Sequence, residues 1–337
     1  MAESIPVIDF TPWVTDSTPE SRRVTAKELV KACHETGFVY ITNHGVSSEV
    51  LDQAFAWTKK FMDMPLDSKM EAKHPEGSIA FRGYSWPGLQ KANQVLDGNE
   101  NAVTALRVTP DFNENYNYGS DENKNELNTW PSDTTIPGFK EFCDKFYWDC
   151  WKTAQQILRA LAVGLGMDDE DYLLKFHDGH SNQISLRHYM PIAAAEIETK
   201  QKERLAAHTD FGSVTMLFQD DCGGLEVECP GQPGKFIPAT PIENALVMNI
   251  GDVLMRWSND YLISTMHRVR LPPLEDRFTG EARMTRERYS IPYFVSPNRD
   301  TIVECLPKCF DENNPPKYAP LSWAEWLTMR SSTAWAK

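Results

Sequence analysis

The sequence predicts a mixed α/β protein with a mainly β core, in which a helix-rich N-terminal half packs on a β-rich C-terminal half. Three observations lead there. Apolar residues before position 180 recur at near-helical spacing over long windows. After position 183 they fall into short β-prone runs, and Gly, Pro and other turn residues punctuate those runs. Many short strands separated in this way suggest a sandwich or barrel. The chain has 337 residues, 41% of them hydrophobic, which is enough to bury a large core. No linker is long enough to split it. A single domain over 1–337 is therefore expected, with a helix-rich region at 1–180, a β-rich core at 181–305 and a C-terminal helical segment at 306–337.

Residues 5–10 are apolar and β-prone. Residues 18–36 carry Val24, Leu29, Val30 and Cys33 near a helical period, and Gly37 stops that helix. Phe38-Val39-Tyr40-Ile41 reads as a buried strand. A second helix is expected over 47–61, with Ser47 or Ser48 as its N-cap. Residues 74–130 are rich in Gly, Asn, Asp and Pro, and 113–128 reads as the most loop-like stretch of the chain. A long helix is expected over 139–165, where Phe142, Phe146, Trp151, Ile157, Leu158 and Leu161 form an apolar stripe. Strands are then expected at 184–189, 214–218, 225–227, 245–250, 265–269 and 289–295. Cys222-Gly223-Gly224, residues 230–234 and Pro272-Pro273 are the turns between them. The stretch 323–335 reads as a final helix, a lid over a site or simply a packed cover.

The formal net charge of −14 disfavours nucleic acid and anionic membrane surfaces as partners. No apolar run reaches the roughly 18 residues of a membrane span. The start MAESIPVIDF lacks the basic and apolar blocks of a secretory signal. Seven cysteines without a CxxC pair argue against a disulfide framework or a zinc knuckle. A cytoplasmic protein acting on a small molecule is the expectation; the sequence leaves its oligomeric state open.

The strongest chemical signal is His208-Thr209-Asp210. If this segment is a strand, residues i and i+2 share one face and present an imidazole and a carboxylate together. His267, in another strand-like run, is the candidate third ligand. Two histidines and one carboxylate leave coordination positions open, which suits an Fe(II) centre that binds O2 and an organic chelate together. Zinc accepts the same ligands, and a core histidine bonded to a nearby aspartate would give the same pair. Arg288 and Ser290 also share a strand face. They offer a planar fork and a hydroxyl, as the distal carboxylate of 2-oxoglutarate would need, and Tyr189 could add a phenolic donor. An Arg-x-Ser pair alone is common; its position after the HxD and His residues gives it weight.

Taken in order, these segments resemble the 2-oxoglutarate/Fe(II)-dependent dioxygenases of the isopenicillin N synthase-like superfamily, over nearly the whole chain. Ile5-Pro6-Val7-Ile8-Asp9-Phe10 is similar to the family's opening strand. Residues 37–46, GFVYITNHGV, are similar to its "GFFYVxNHGV" stretch, and Arg82-Gly83-Tyr84 to its "RGY" segment. Residues 208–215, HTDFGSVT, resemble the "HTDxGxxT" ligand strand. Asn249-Ile250-Gly251-Asp252 and Trp257-Ser258-Asn259 resemble "NxGD" and "(W/L)SN", followed by His267-Arg268-Val269. The resemblance implies a double-stranded β-helix, or jelly roll, at 181–305, flanked by N-terminal and long central helices. It implies Fe(II) on His208, Asp210 and His267, 2-oxoglutarate on Arg288 and Ser290 with Tyr189 assisting, and O2 as co-substrate. The implied reaction removes a hydrogen atom from substrate, giving hydroxylation, desaturation or ring formation on a natural-product or amino-acid-like intermediate.

Arg82, Tyr84, Phe211 and Trp257 are the expected substrate-side residues. Arg82 could grip a substrate carboxylate, though a structural salt bridge would give the same residue. His188 stands where many relatives have Asn, a departure that could alter the pocket. A 2-oxoglutarate-independent Fe(II) oxidase resembling isopenicillin N synthase would use the same residues. A non-catalytic jelly roll holding a metal or carboxylate and a zinc hydrolase are the readings from other classes.

Overall fold

The computed structural model describes residues 4–90, 111–332 and 334–335. A stretch of the expected loop region, 91–110, lies outside them. Twelve strands and five helices carry the argument. The strands are β1 (Val7–Asp9), β2 (Phe38–Thr42), β3 (Gly83–Ser85), β4 (Glu114–Gly119), β5 (Gln183–Tyr189), β6 (Leu205–His208), β7 (Val214–Gln219), β8 (Leu225–Glu228), β9 (Phe236–Pro238), β10 (Ala245–Ile250), β11 (His267–Val269) and β12 (Arg288–Val295). The helices are α1 (Pro19–Glu35), α2 (Ser48–Met62), α3 (Phe139–Gly164), α4 (Asp252–Trp257) and α5 (Trp323–Ser331).

Local chemistry fixes the helix ends. The Thr18 hydroxyl accepts from Ser21 N, and Pro19 fills the first turn of α1, where its missing N–H costs nothing. Ser47 caps α2 through Val50 N. At Gly37 the backbone has a φ of 72°, and a Cβ would lie 2.3 Å from Ile263 O, so only glycine turns the chain from α1 into β2.

The strands form a large sheet in the order β1-β2-β10-β7-β12-β5-β4-β3 and a smaller one in the order β6-β11-β8-β9. The two-residue alternation of a strand gives the large sheet two unlike faces. Ile41, Met248, Met216, Ile291 and Leu186 point outward to α1 and α3, in one apolar core. Phe38, Val247, Leu217 and Tyr189 point inward. There they meet Leu205, Val227 and Val269 of the smaller sheet in a second core. This is the sandwiched β architecture expected from the sequence.

Two expectations need correction. The loop-like stretch 113–128 contains β4, a buried strand paired with β5 in the register Asn115↔Arg187 and Asn117↔Ser185. Its sequence alternates Asn and Tyr. Tyr116 and Tyr118 enter the outer core, while Asn115 and Asn117 form an amide ladder with Gln90 and Gln183. A polar interior satisfied by its own side chains hides a strand from a composition-based reading. The run 265–269 is also shorter than expected, with β11 starting at His267.

His188 lies on the face of β5 turned away from the smaller sheet. It points toward the helices, where Nδ1 lies 2.8 Å from Glu114 Oε1. Lys69 Nζ and Tyr84 OH donate to Glu114 Oε2 at 2.8 and 2.5 Å. Burial pushes the Glu114 carboxyl up. The bonds from His188, Lys69 and Tyr84 outweigh it and bring the pKa down to about 2. A depressed carboxylate stabilises the fold above its unfolded pKa, near 4.5, and loses that contribution as pH falls towards 2. Glu114→Gln should therefore melt lower than wild type at pH 7, and the gap should close between pH 5 and 2. Parallel melting curves that keep a constant gap across that window would count against this role.

Candidate active site

His208 ends β6 and His267 opens β11; the two strands pair with these residues opposite one another. Their ring centroids are 4.3 Å apart. Asp210 lies just beyond the end of β6, so the HxD pair is not two positions on one strand face as the sequence suggested. The turn after His208 brings its carboxylate round. Asp210 Oδ1 sits 3.8 Å from His208 Nε2 and 3.7 Å from His267 Nε2. One ligand atom from each of the three lies within 4.8 Å of the others, the spacing of a metal cluster.

The hydrogen bonds around these groups prepare them as ligands. His208 Nδ1 lies 2.8 Å from Ala206 O and His267 Nδ1 lies 3.2 Å from Thr265 O. Each ring then carries its proton on Nδ1 and turns the Nε2 lone pair to the centre. Burial and the neighbouring His267 hold the His208 imidazole neutral, with its pKa down at about 3. Burial pushes the Asp210 carboxyl up. His267, His208 and bonds from Thr215 Oγ1 (2.6 Å) and Asn249 Nδ2 (2.7 Å) outweigh it, and the group stays an anion. Two imidazoles with Nε2 turned to the centre and one oriented carboxylate fit a divalent ion with open positions.

The segment from Asn249 to Asp252 locks the ligand turn. Gly251 crosses the turn so closely that a Cβ there would meet Gly212 O at 2.3 Å. Gly251 N donates to Ser213 O at 2.9 Å, and Asp252 N to Asp210 O at 2.8 Å. The Asp252 carboxylate accepts from Ser264 Oγ at 2.7 Å and pairs with Arg330 of α5.

A cavity of about 450 Å³ opens beside His208 and Asp210. Phe211, Phe81, Phe294 and Leu327 give it apolar walls, and Arg187, Gln183 and Asn113 give it polar ones. Arg288, Ser290 and Tyr189 do not line it and are almost fully buried. They continue the same strand faces inward. Phe294 and Gln183 are at the cavity, and along β12 and β5 the inward positions run through Arg187 and Ser290 to Arg288 and Tyr189. Arg288 Nη1 donates to Ser290 Oγ and Nη2 to Gln219 Oε1, both at 3.2 Å, and its Nε has no partner.

Comparison with known proteins bears on this geometry directly. Residues 181–297 match the model of the 2OG-Fe(II) oxygenase superfamily, and residues 5–133 match a non-haem dioxygenase N-terminal model named for morphine synthesis. The 2-oxoglutarate-Fe(II) type oxidoreductase ppzD of Metarhizium rileyi is 36% identical over 305 residues, covering 90% of this chain and 84% of that one. The chain belongs to the 2OG-Fe(II) oxygenase superfamily. The proline hydroxylase buaE of Petromyces alliaceus is 34% identical, covering 92% and 93% of the two chains. A full-length Neurospora crassa protein, crystallised with alpha-KG and thymine, superposes with a TM-score of 0.85 at 34% identity, covering 98% of each chain.

This 2OG-Fe(II) oxygenase is thus a 2-oxoglutarate-dependent dioxygenase whose cofactors are Fe(II) and 2-oxoglutarate, with His208, Asp210 and His267 as the iron triad. That sets aside the binding-protein, zinc-hydrolase and 2-oxoglutarate-independent readings.

Of the expected substrate-side residues, only Phe211 lines the cavity. Arg82 is buried in a salt bridge to Glu126 at 2.8 Å and also donates to Gln183 Oε1. Tyr84 serves the Glu114 cluster, and Trp257 packs against Phe176 and His177. The "RGY" and "WSN" segments thus build the frame around the cavity. The sequence reading missed Arg187. Its signal was the two-residue step to Tyr189, which puts both on the inward face of β5.

Proposed function

We propose that this oxygenase oxidises a small carboxylate-bearing molecule, an amino-acid-like or natural-product intermediate, with hydroxylation, desaturation or ring formation as the outcome. The carrying observation is Arg187. Its guanidinium faces the cavity close enough to act electrostatically on His208, and it makes no hydrogen bond or ion pair with any described residue. A free guanidinium among aromatic walls beside the metal ligands is a fork for a substrate carboxylate. Proline, the substrate class named for the relative buaE, carries such a group. A second reading, a carbonyl-bearing heterocycle, is favoured by the thymine bound in the related Neurospora crassa protein.

The arrangement supports a division of labour. Arg288, Ser290 and Tyr189 hold the distal carboxylate of 2-oxoglutarate, and the unpartnered Arg288 Nε fits an arriving anion. Thr215 and Asn249 orient the Asp210 carboxylate, leaving its Oδ1 for the metal. Phe81, Phe211, Phe294 and Leu327 exclude water around the reacting carbon. Fe(II), 2-oxoglutarate and O2, when bound, supply the oxidation that removes a hydrogen atom from substrate. The whole chain acts as one domain, with the helix-rich region 1–180 and the segment 306–337 built onto the core 181–305. A cytoplasmic setting is supported by the seven free thiols. No helix among the described residues is long and apolar enough to cross a membrane.

The test of the co-substrate site is an anaerobic titration with Fe(II) and then 2-oxoglutarate. A metal-to-ligand charge-transfer band should appear in wild type and be lost in Arg288→Ala at the same concentrations. For the substrate site, succinate release should be screened with L-proline, related amino acids and thymine. With the carboxylate substrate found, Arg187→Met should raise KM ~10- to 100-fold while leaving the 2-oxoglutarate titration unchanged. An unaltered KM, or turnover of thymine in preference to every carboxylate offered, would remove the carboxylate reading.

A further inference from the structure

We propose that Arg204 is the second cation of the 2-oxoglutarate pocket, a positioning residue that makes the pocket prefer a dicarboxylate over a 2-oxo acid without a distal carboxylate. The proposal rests on the reading of Arg288 and Ser290 as the distal-carboxylate clamp.

Arg204 stands immediately before β6, four residues ahead of His208, and its side chain is fully buried. Its guanidinium lies 5.5 Å from the centre of the Tyr189 ring, and that of Arg288 lies 4.8 Å from the same centre. Two buried cations therefore share one aromatic ring, and they repel each other. Arg204 Nη2 donates to two backbone carbonyls, Tyr189 O at 3.3 Å and Arg286 O at 3.2 Å. Its Nε and Nη1 have no hydrogen-bond partner, and neither has Arg288 Nε. The Cys222 side chain lies beside Arg204 and favours its charged form.

The charges do not balance. The acid that Arg288 faces is Asp220, whose carboxylate is already bonded to Tyr289 N at 2.6 Å and Cys222 N at 3.0 Å. Neither Arg204 nor Arg288 makes an ion pair with a described residue, and Asp220 acts on Arg288 alone of the two. A buried, unmatched guanidinium with idle N–H groups is costly, and proteins keep one where an anion arrives to match it. An anion held by Arg288 sits beside the Tyr189 ring, inside the field of Arg204 as well. Arg204 also ties the backbone at Tyr189 to that at Arg286. Its contribution falls on the distal carboxylate; the keto-acid end, directed to the iron, gains nothing from it.

That asymmetry is the test. Full-length protein loaded anaerobically with Fe(II) is titrated with 2-oxoglutarate and with 2-oxopentanoate, an acid of the same length without the second carboxylate, and the charge-transfer band is followed. Arg204→Met should weaken 2-oxoglutarate on the order of tenfold and leave 2-oxopentanoate at the wild-type affinity. Arg204→Lys should restore most of the preference. Should the methionine variant fail to fold, Arg204→Gln against Arg204→Lys gives the same comparison. Unchanged 2-oxoglutarate affinity, or equal weakening of both acids, would overturn the proposal and leave Arg204 a packing residue. Arg288→Ala separates the two claims. If it keeps the dicarboxylate preference, the clamp reading itself fails. If it loses the preference while Arg204→Met keeps it, only the role of Arg204 fails.

Discussion

Replacing Asp210 with alanine is expected to empty the iron site and to destabilise the apoprotein, whereas His208→Ala empties the site and leaves the apoprotein close to wild type. The difference follows from what each side chain does without metal. Asp210 is the anion of the triad and the acceptor for two buried donors, Thr215 Oγ1 and Asn249 Nδ2. Removing it strands both donors, at about 1–3 kcal/mol each. His208 makes one hydrogen bond, from Nδ1 to Ala206 O, so its loss leaves a single backbone carbonyl without that partner. Either change leaves two of three ligands, which is too few to hold Fe(II) against water. Metal analysis after anaerobic loading should find both variants iron-free, and melting of the metal-free proteins should separate them. A full complement of iron in either variant would sink the triad; equal melting temperatures would sink the argument about donors.

Much of this was legible in the sequence, because the ligand residues are tied to motifs whose spacing has physical causes. The strands at 184–189, 214–218 and 245–250 announce themselves through apolar alternation, and the structure places them at the centre of the large sheet. The Asn-Gly-Asp pattern at 249–252 was visible as a motif, but its work was not. Only the fold shows Gly251 crossing the Asp210 turn and Asn249 reaching the carboxylate. The failures share one cause. In this sheet the inward face is partly polar, so Asn115, Asn117 and Arg187 occupy positions where a sequence reading expects apolar residues. Arg82 takes the structural salt bridge that stood beside its reading as a ligand. An arginine in a family segment suggested a ligand, yet Glu126, forty-four residues away in sequence, claims it. Long-range partners of this kind are settled by topology, which no local pattern encodes.

Arg330→Met is expected to release the C-terminal helix from the cavity without unfolding the core. Arg330 is a buried attachment of this segment. Its Nη1 meets the Asp252 carboxylate, its Nη2 lies 3.3 Å from Thr209 Oγ1, and its guanidinium packs 4.5 Å from the centre of the Phe211 ring. Thr209 sits between two iron ligands, so the helix is tied to the metal turn itself. Four residues beyond α5, Trp335 stacks on His74 at 3.8 Å and donates to Ile79 O. Beside these points Trp323, Leu327, Thr328 and Ser331 of α5 form one wall of the cavity. Breaking a buried ion pair by removing one partner costs about 3–5 kcal/mol, because the other charge is left uncompensated. Opening of the nine-residue α5 lets water reach the stranded Asp252 carboxylate, so the loss of Arg330 favours release of the helix. Hydrogen exchange should show 323–332 losing protection in Arg330→Met while β5, β7 and β12 keep theirs. Adding Asp252→Asn should return some of the protection, since it removes the stranded charge, and the double-mutant cycle measures the coupling. Unchanged protection of α5 in the single variant would mean that apolar packing, and not the ion pair, holds the helix over the site.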